Sequence, residues 1–269
     1  MTELLEEKYI KLQEYLKSCG KPAIAFSGGV DSTFLVMAAK KTLGSDFIAI
    51  SMDIHSVPLL EKEEAEDFCS KFEIPRIVIR YDELGIPGFA ENPADRCYIC
   101  KKALFTEILK KAKEEGFDVV AEGSNVDDEG DYRPGMRALS ELGIKSPLKE
   151  TGFTKEEIRI LSKEMGLPTW DKPSKACLSS RFAYGERITE KKLRMVEVAE
   201  LYLQTLGFVQ LRVRMHGENL ARIEVSPSDF EGILENKKNI VREFKKIGFD
   251  YTTLDLKGFR SGSMNEVLK

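Results

Sequence analysis

The sequence has little histidine: only His55 and His216 occur in 269 residues. A zinc site built on imidazole therefore has few ligands to draw on. No apolar run approaches the roughly 20 residues that span a bilayer. The first 18 residues are charged and read as helix, without the apolar stretch of a secretory signal. A cytoplasmic location and no membrane association are the expectation. An excess of one charge is missing too: 41 basic residues face 45 acidic ones, a formal net charge of -4. That balance argues against a global polyanion binder, so nucleic acid is not expected as a partner, and only a local basic patch stays open. The five cysteines are odd in number and their spacing suggests no disulfide framework. Reduced thiols are expected, with clustered cysteines read as metal or redox chemistry. Internal repeats and low-complexity segments are absent. What remains, 42% hydrophobic and 32% charged residues, is an ordinary globular composition, long enough for one large or two smaller domains.

The organising stretch is Phe26-Ser27-Gly28-Gly29-Val30-Asp31-Ser32. A short apolar run, Ala23-Ile24-Ala25-Phe26, precedes it, and Phe34, Leu35, Met37, Ala38 and Leu43 follow at helical spacing. The stretch therefore sits at a strand-to-helix junction. Its two glycines let the backbone approach an anion closely, and the first amides of a helix have no intrahelical partner. With the hydroxyls of Ser27, Ser32 and Thr33 they make a nest for phosphate. A Walker A loop would carry a lysine here, and none is present. The hexapeptide resembles the PP-loop of the ATP pyrophosphatases, which cleave ATP between its α- and β-phosphates. An ordinary glycine-rich turn with a serine cap is the bland alternative.

Helical spacing over residues 2–18 predicts a leading amphipathic helix. Residues 47–52 read as a second strand ending at Asp53, residues 59–72 as a helix with Cys69 on its core face, and residues 76–80 as a third strand. Cys19 reads as a structural thiol. Such β-α-β-α-β alternation predicts an α/β fold with a doubly wound parallel sheet, whose ligands bind beyond the carboxyl ends of the strands. Asp53 lies at such an end, so it and its neighbours are candidates for the adenosine pocket, beside Ala25 and Phe26. Residues 84–96 read as a loop closed by Cys97-Tyr98-Ile99-Cys100, with a helix over 101–115. A fourth strand at 118–121 leads into the polar turn 122–128, whose Asn125 and Asp128 are candidates for Mg²⁺ or the nucleotide; a solvated loop is the alternative. Thr154-Lys155-Glu156-Glu157 is a capping box. Residues 167–187 form a long loop, of the kind that is usually functional. From 189 the pattern becomes helix 189–206, strands at 210–214 and 220–225, a helix capped by Ser226 with Pro227 at its first position, helix 238–247 and a strand at 251–256. The expected division is therefore residues 1–188, an ATP-binding domain, and residues 189–269, a smaller α+β domain.

Cys97 and Cys100 form C-x-x-C at a helix start, where the amides favour thiolate. A third cysteine, Cys177, lies in the other long loop. Three readings stay open here. Three thiolates can hold a [4Fe-4S] cluster and leave one iron open. A Cys3His zinc site would take His55 as its fourth ligand. The third reading is a redox dithiol or unligated thiols.

Several segments together resemble LarE, the ATP-dependent sulfurtransferase family of nickel-pincer nucleotide biosynthesis. They are Ala25-Phe26-Ser27-Gly28-Gly29-Val30-Asp31-Ser32, Asp131-Tyr132-Arg133-Pro134-Gly135, Ser179-Ser180-Arg181-Phe182-Ala183-Tyr184-Gly185, Arg212-Val213-Arg214 and the run from Leu254 through Phe259 to Gly262. The resemblance implies adenylation of a carboxylate of pyridinium-3,5-biscarboxylate mononucleotide and replacement of the adenylate by sulfur. In the single-cysteine type of that family the enzyme gives up its own cysteine sulfur. Alignment on Ser179-Ser180-Arg181 puts Ala176 at that position. The chain is therefore similar to the three-cysteine type, which implies a [4Fe-4S] cluster on Cys97, Cys100 and Cys177 that delivers an external sulfide. The resemblance also implies catalytic roles for Asp31, Cys177 and Arg181, and a substrate site of Ser179, Ser180, Arg181, Glu200, Arg212 and Arg214. It implies ATP and Mg²⁺ as cofactors, a separate sulfide donor, and a homo-oligomer, trimer or hexamer. Arg212 and Arg214, two apart on a strand, share one face and suit a phosphate. The competing functions are an iron–sulfur tRNA thiolase and a metal-stabilised nucleotide-binding module without chemistry.

Overall fold

The computed structural model describes residues 3–128, 134–173, 176–260 and 262–268, the last two without their side chains. Asp131, Tyr132 and Arg133 of the quoted motif, and Ser261, lie outside the described residues. The chain forms two compact units, residues 1–83 with 97–175, and residues 84–96 with 176–269.

The first unit is the parallel α/β fold expected from the alternation. It runs α1 (Glu3–Ser18), β1 (Pro22–Ala25), α2 (Val30–Leu43), β2 (Ile48–Asp53), α3 (Leu59–Lys71), β3 (Arg76–Arg80), α4 (Arg96–Glu114), β4 (Val119–Ala121), α5 (Pro134–Glu141), α6 (Pro147–Glu150) and α7 (Lys155–Glu164). The strands pair in parallel in the order β3-β2-β1-β4. Successive strand residues point to opposite faces, and both faces are apolar. Ile24 and Ala49 belong to the layer with α1, α2, α3 and α7, where Leu12, Leu16, Phe34 and Phe153 are fully buried. Ala23, Ile50 and Val120 belong to the other, with Ile108 and Ala112 of α4 and Leu139 of α5. Phe34 lies 5.7 Å from Phe153 and 6.3 Å from Tyr9, ring centre to ring centre. A fully buried phenylalanine of this kind contributes about 1.5–3 kcal/mol of transfer free energy.

Two local expectations need correction, and one helix was not foreseen. Helix α4 begins at Arg96, not at 101, so Cys97 and Cys100 lie inside the helix rather than in the loop before it. The turn that ends the loop closes at Pro93, whose carbonyl accepts from Arg96 N, and nothing after it breaks a helix. The short helix α5 was hidden by Gly135, although Pro134 suits a first helical position. Ser226 starts a 3-10 turn and makes no side-chain cap, so the helix behind it begins later. The capping box of Thr154 and Glu157, by contrast, forms in both directions.

The second unit continues with α8 (Glu190–Thr205), β5 (Leu211–His216), β6 (Leu220–Val225), α9 (Phe230–Glu235), α10 (Lys237–Ile247) and β7 (Tyr251–Leu254). Its sheet is mixed, in the order β5-β6-β7, with β5 and β6 antiparallel and β6 and β7 parallel. Leu211, Val213, Met215, Ala221, Ile223 and Val225 are buried in one core with Leu193, Val196 and Leu203 of α8 and Phe244 of α10. The opposite face carries Arg212 across from Glu224 and Arg214 across from Arg222. Packing draws the line between units elsewhere than 188/189: Leu178, Phe182 and Ile188 sit in this second core. Residues 84–96 are held to the same unit by Asn92, whose side-chain amide donates to the carbonyl of Ala183 at 2.6 Å and whose own carbonyl accepts from Gly185 N at 2.8 Å. Asn92 is buried at φ +54, a left-handed position that asparagine tolerates better than most residues.

Candidate active site

The PP-loop follows β1 directly. Phe26 N continues the sheet by bonding to Ile50 O at 2.8 Å. Its carbonyl accepts from the Ser51 hydroxyl at 2.7 Å, and that hydroxyl in turn accepts from Arg76 Nε at 2.9 Å. The chain then turns at Gly28, with φ +72, and a Cβ there would stand 3.0 Å from Cβ of Ala65 on α3. Only glycine fits such a position without strain. Gly29 caps α2 with no side-chain bond of its own. The hydroxyls of Ser27 and Ser32 lie 3.1 Å apart, and Ser32 Oγ also donates to Gly29 O at 3.2 Å. Thr33 Oγ1 is buried with no hydrogen-bond partner among the described residues. The result is a short loop of amides and hydroxyls at a helix N-terminus, the arrangement that binds anions.

The end of β4 meets this loop. A Cβ on Gly123 would lie 3.0 Å from Ser32 N, so the polar turn and the start of α2 are in direct contact. Asn125 Nδ2 donates to Asp31 Oδ1 at 3.4 Å, and Asn125 N donates to Asp128 Oδ2 at 3.0 Å. The Lys155 ammonium is bonded to Asp31 Oδ2. Asp31, Asn125, Ser27 and Ser32 are thus gathered in one place. Asp53, at the end of β2, pairs with Lys62 at 2.6 Å and lies 3.7 Å from Arg80 Nε. Gly123, Lys155 and Lys172 were missed as site residues from sequence. Only the position of Gly123 after a strand could have flagged any of them.

In the second unit the loop residues Cys177, Ser180 and Arg181 are joined to Glu200. Arg181, only 2% exposed, donates through Nε and Nη2 to the two oxygens of Glu200, both at 2.9 Å. Its Nη1 donates to the carbonyls of Ala176 at 2.8 Å and Cys177 at 3.2 Å, and to Ser180 Oγ at 2.9 Å. Glu200 also accepts from Val213 N at 2.9 Å. Arg214 is similarly engaged: Nε donates to Glu224 at 3.0 Å, Nη1 to Ser180 O at 3.1 Å, and Nη2 to Ser263 Oγ at 3.1 Å. Arg212 donates to the carbonyl of Leu211 and lies over the Phe259 ring at 5.2 Å. Burial first, and then the neighbouring guanidiniums of Arg181 and Arg214, bring its pKa down to about 10. Burial also lowers that of Arg214. The Ser179 hydroxyl is buried without a hydrogen-bond partner among the described residues. Arg96, the neighbour of Cys97 in the chain, donates to Ser179 O at 2.9 Å.

Cys97 is exposed and Cys100 half-buried on α4, and Cys177 is exposed just before the 3-10 turn Leu178–Arg181. Burial pushes the Cys69 thiol up to about 11 and raises that of Cys19, which suits two structural thiols. His55 stands with carboxylates rather than thiolates: its ring, Asp82 and Glu83 offer ligand atoms within 4.8 Å of one another. Glu83 is buried and accepts from the amides of His55 at 3.0 Å and Ser56 at 2.6 Å. Among the described residues no helix is long and apolar enough to cross a membrane.

No family model matches the chain. It is 36% identical to the pyridinium-3,5-bisthiocarboxylic acid mononucleotide synthase of Lactiplantibacillus plantarum, over 98% of this chain and 96% of that protein. This chain belongs to the LarE family. Members are adenylating sulfurtransferases, and this one is an enzyme of that kind on a PP-loop fold. An uncharacterized protein of Synechocystis sp. is 41% identical over 98% of the LarE-family chain and 99% of its own length. A tRNA-specific 2-thiouridylase of Clostridium perfringens is 29% identical over 70% of the chain and 64% of that protein.

Proposed function

We propose that this LarE-family enzyme uses ATP to adenylate a carboxylate of pyridinium-3,5-biscarboxylate mononucleotide and then exchanges the adenylate for sulfur. The observation that carries this reading is the complete PP-loop, built on Gly28 and tied to Asp31 and Asn125, in a chain matched from end to end by a thiocarboxylate synthase. A carboxylate is a poor electrophile. Its oxygen attacks the α-phosphorus of ATP, the bond to the β-phosphate oxygen breaks, and the electron pair leaves with pyrophosphate. Ser27, Gly28, Gly29 and Ser32 receive that charge through donors already in place. Asp31, Asn125 and Asp128 are assigned to Mg²⁺, and Asp53 with Ala25 and Phe26 to adenosine. Sulfur then attacks the acyl carbon and AMP departs.

In the second unit, Arg212 and Arg214 are assigned to the substrate phosphate, with Ser179 and Ser180 beside it. Arg181 and Glu200 act differently from the direct contact expected of them. They hold each other, and Arg181 fixes the carbonyls of Ala176 and Cys177. Both belong to the site as its frame.

Cys97, Cys100 and Cys177 are the proposed ligands of a [4Fe-4S] cluster. The donor set fits: three thiols that are exposed or half-buried, two of them three apart on one helix face near its N-terminus. When bound, the cluster supplies a sulfur nucleophile that is deprotonated at neutral pH. A separate sulfide donor and a homo-oligomeric assembly, trimer or hexamer, complete the proposal.

The test is anaerobic purification with iron, zinc and acid-labile sulfide analysis, followed by assay with ATP, sulfide and the pyridinium nucleotide. Iron and sulfide in the protein, substrate-dependent AMP and pyrophosphate, and a product with oxygen exchanged for sulfur are expected. Zinc without iron would remove the cluster. The 29% match to a tRNA thiolase makes tRNA the control substrate. Pyrophosphate release that answers to tRNA and not to the pyridinium nucleotide would overturn the substrate assignment.

A further inference from the structure

One short segment covers the arginine face of the second sheet. Arg212 and Arg214 of β5 share that face with Arg222 of β6, which stands directly across from Arg214. After β7 the chain turns at Gly258, with φ +71, where a Cβ would stand 2.9 Å from the carbonyl of Val225. Phe259 N donates to that carbonyl at 2.8 Å, and the Phe259 ring lies 5.2 Å from the Arg212 guanidinium. Beyond this pin, Met264 Sδ accepts from Arg222 at 3.3 Å, and the Ser263 hydroxyl accepts from Arg214 Nη2 at 3.1 Å. The same hydroxyl donates to Glu224 Oε1 at 2.8 Å. A hydroxyl is donor and acceptor at once, so it fits between a guanidinium and a carboxylate. The hold on the segment is polar throughout. Tyr184 Oη donates to Asn265 Oδ1 at 2.9 Å, and Arg260 Nε donates to Glu266 at 2.8 Å, closing the segment on itself. Among the described residues, none beyond Leu254 adds a side chain to the apolar core of this unit. Lifting residues 262–266 therefore breaks polar contacts and leaves that core intact, as in segments that open locally.

We propose that residues 262–266 are a displaceable strap over the substrate-phosphate site, with the Ser263 hydroxyl holding the place of one phosphate oxygen on Arg214. This inference rests on the assignment of Arg212 and Arg214 to the substrate phosphate. The other acceptors of Arg214 are fixed: Ser180 O, at 3.1 Å, lies in the loop that Arg181 holds, and Glu224, 2.8 Å from Nη2, is fully buried. A phosphate that joins Arg214 at Nη2 thus takes the place of Ser263. Glu224 then loses one donor and keeps Arg222 Nη2 at 3.1 Å. The strap swings out beyond the pin at Gly258 and Phe259, and no covalent bond changes. In the ligand-free protein it keeps the buried Arg214 satisfied. Because only the open form takes the phosphate, the apparent affinity is reduced by the fraction that is open.

The experiment measures calorimetric binding of pyridinium-3,5-biscarboxylate mononucleotide, and of its dephosphorylated nucleoside, to the full-length protein without ATP. Hydrogen exchange of residues 262–266 is followed in the same samples. In wild type the mononucleotide should speed exchange in that segment and the nucleoside should not. Ser263→Ala should tighten mononucleotide binding about 5-fold, as loss of one competing hydrogen bond does, and leave nucleoside binding unchanged. Glu266→Gln, which loosens the pairing with Arg260, should act in the same direction, so the strap stays testable if one variant fails a thermal melt. Weaker mononucleotide binding in Ser263→Ala would make the hydroxyl a ligand of the phosphate and overturn the strap. Unchanged affinity in both variants, or slower exchange of the segment on binding, would overturn it too, and the phosphate assignment would stand. If wild type binds the mononucleotide no better than the nucleoside, the phosphate assignment falls and the strap with it.

Discussion

Glu200→Ala tests whether the Arg181–Glu200 pair is the frame of the Cys177 loop. The substitution leaves Arg181, 2% exposed, with its Nε and Nη2 donors unanswered. Removing one partner of a buried pair costs about 3–5 kcal/mol, because the remaining charge is uncompensated. Val213 N loses its acceptor as well, which pushes the value toward the upper end. With a urea slope of about 2–3 kcal/mol per molar, the unfolding midpoint of this unit should fall by roughly 1–2.5 M. Arg181→Met combined with Glu200→Leu should recover most of the loss, since an apolar pair of similar volume is often neutral. The Cys177 thiol should react faster with a thiol reagent in Glu200→Ala, because Arg181 no longer fixes the carbonyls of Ala176 and Cys177. A loss below about 1 kcal/mol, with Cys177 reactivity unchanged, would refute the framing role. Arg181 would then return to the direct substrate contact expected from sequence.

Three further outcomes are expected. Gly28→Ala meets both a left-handed backbone and Ala65 Cβ at 3.0 Å, so pyrophosphate release should collapse and stability fall by about 1–2 kcal/mol; an active variant would remove the nest from the mechanism. Cys97→Ala, Cys100→Ala and Cys177→Ala should each abolish multiple-turnover sulfur transfer and iron retention while substrate-dependent pyrophosphate release survives, and full sulfur transfer in any one would exclude the three-ligand set. Arg212 has its folded pKa lowered to about 10 by burial and by Arg181, so its charge opposes folding below that pH and the penalty is lifted as pH rises from about 10 toward the ordinary arginine value. Arg212→Gln should accordingly stabilise the ligand-free protein at neutral pH and weaken binding of the phosphate-bearing substrate; unchanged stability in thermal melts would show that the field is already compensated.

Much of the first unit was legible because its signals are local. Strand alternation, the glycine pair and the capping box of Thr154 each lie within a few residues, and each took the expected form. The strands of the second sheet were legible from the same alternation around Arg212 and Arg214, whereas their mixed pairing was not. Lys155 and Lys172 were not legible, since the first meets a carboxylate 124 residues away and the second a carbonyl 144 residues away. Arg181 and Glu200 were singled out through the family resemblance, but sequence could not tell that each would satisfy the other. A polar residue looks the same in one dimension whether it awaits a ligand or already has its partner. The helix start at Arg96 was missed because the cysteine pair was read as the end of a loop.

Asn92 has a further consequence, for the order in which the chain can fold. Its partners at Ala183 and Gly185 are synthesised only after the whole remainder of the first unit. The segment 84–96 therefore leaves the ribosome without its own core, and the second unit cannot close until residues from 176 onward arrive. Neither unit is a continuous stretch that can be excised. A fragment 189–269 would lack Leu178, Phe182 and Ile188, all at most 1% exposed in that core, each worth about 1.5–3 kcal/mol when buried. The two units of this enzyme are interleaved in the order of synthesis as well as in sequence.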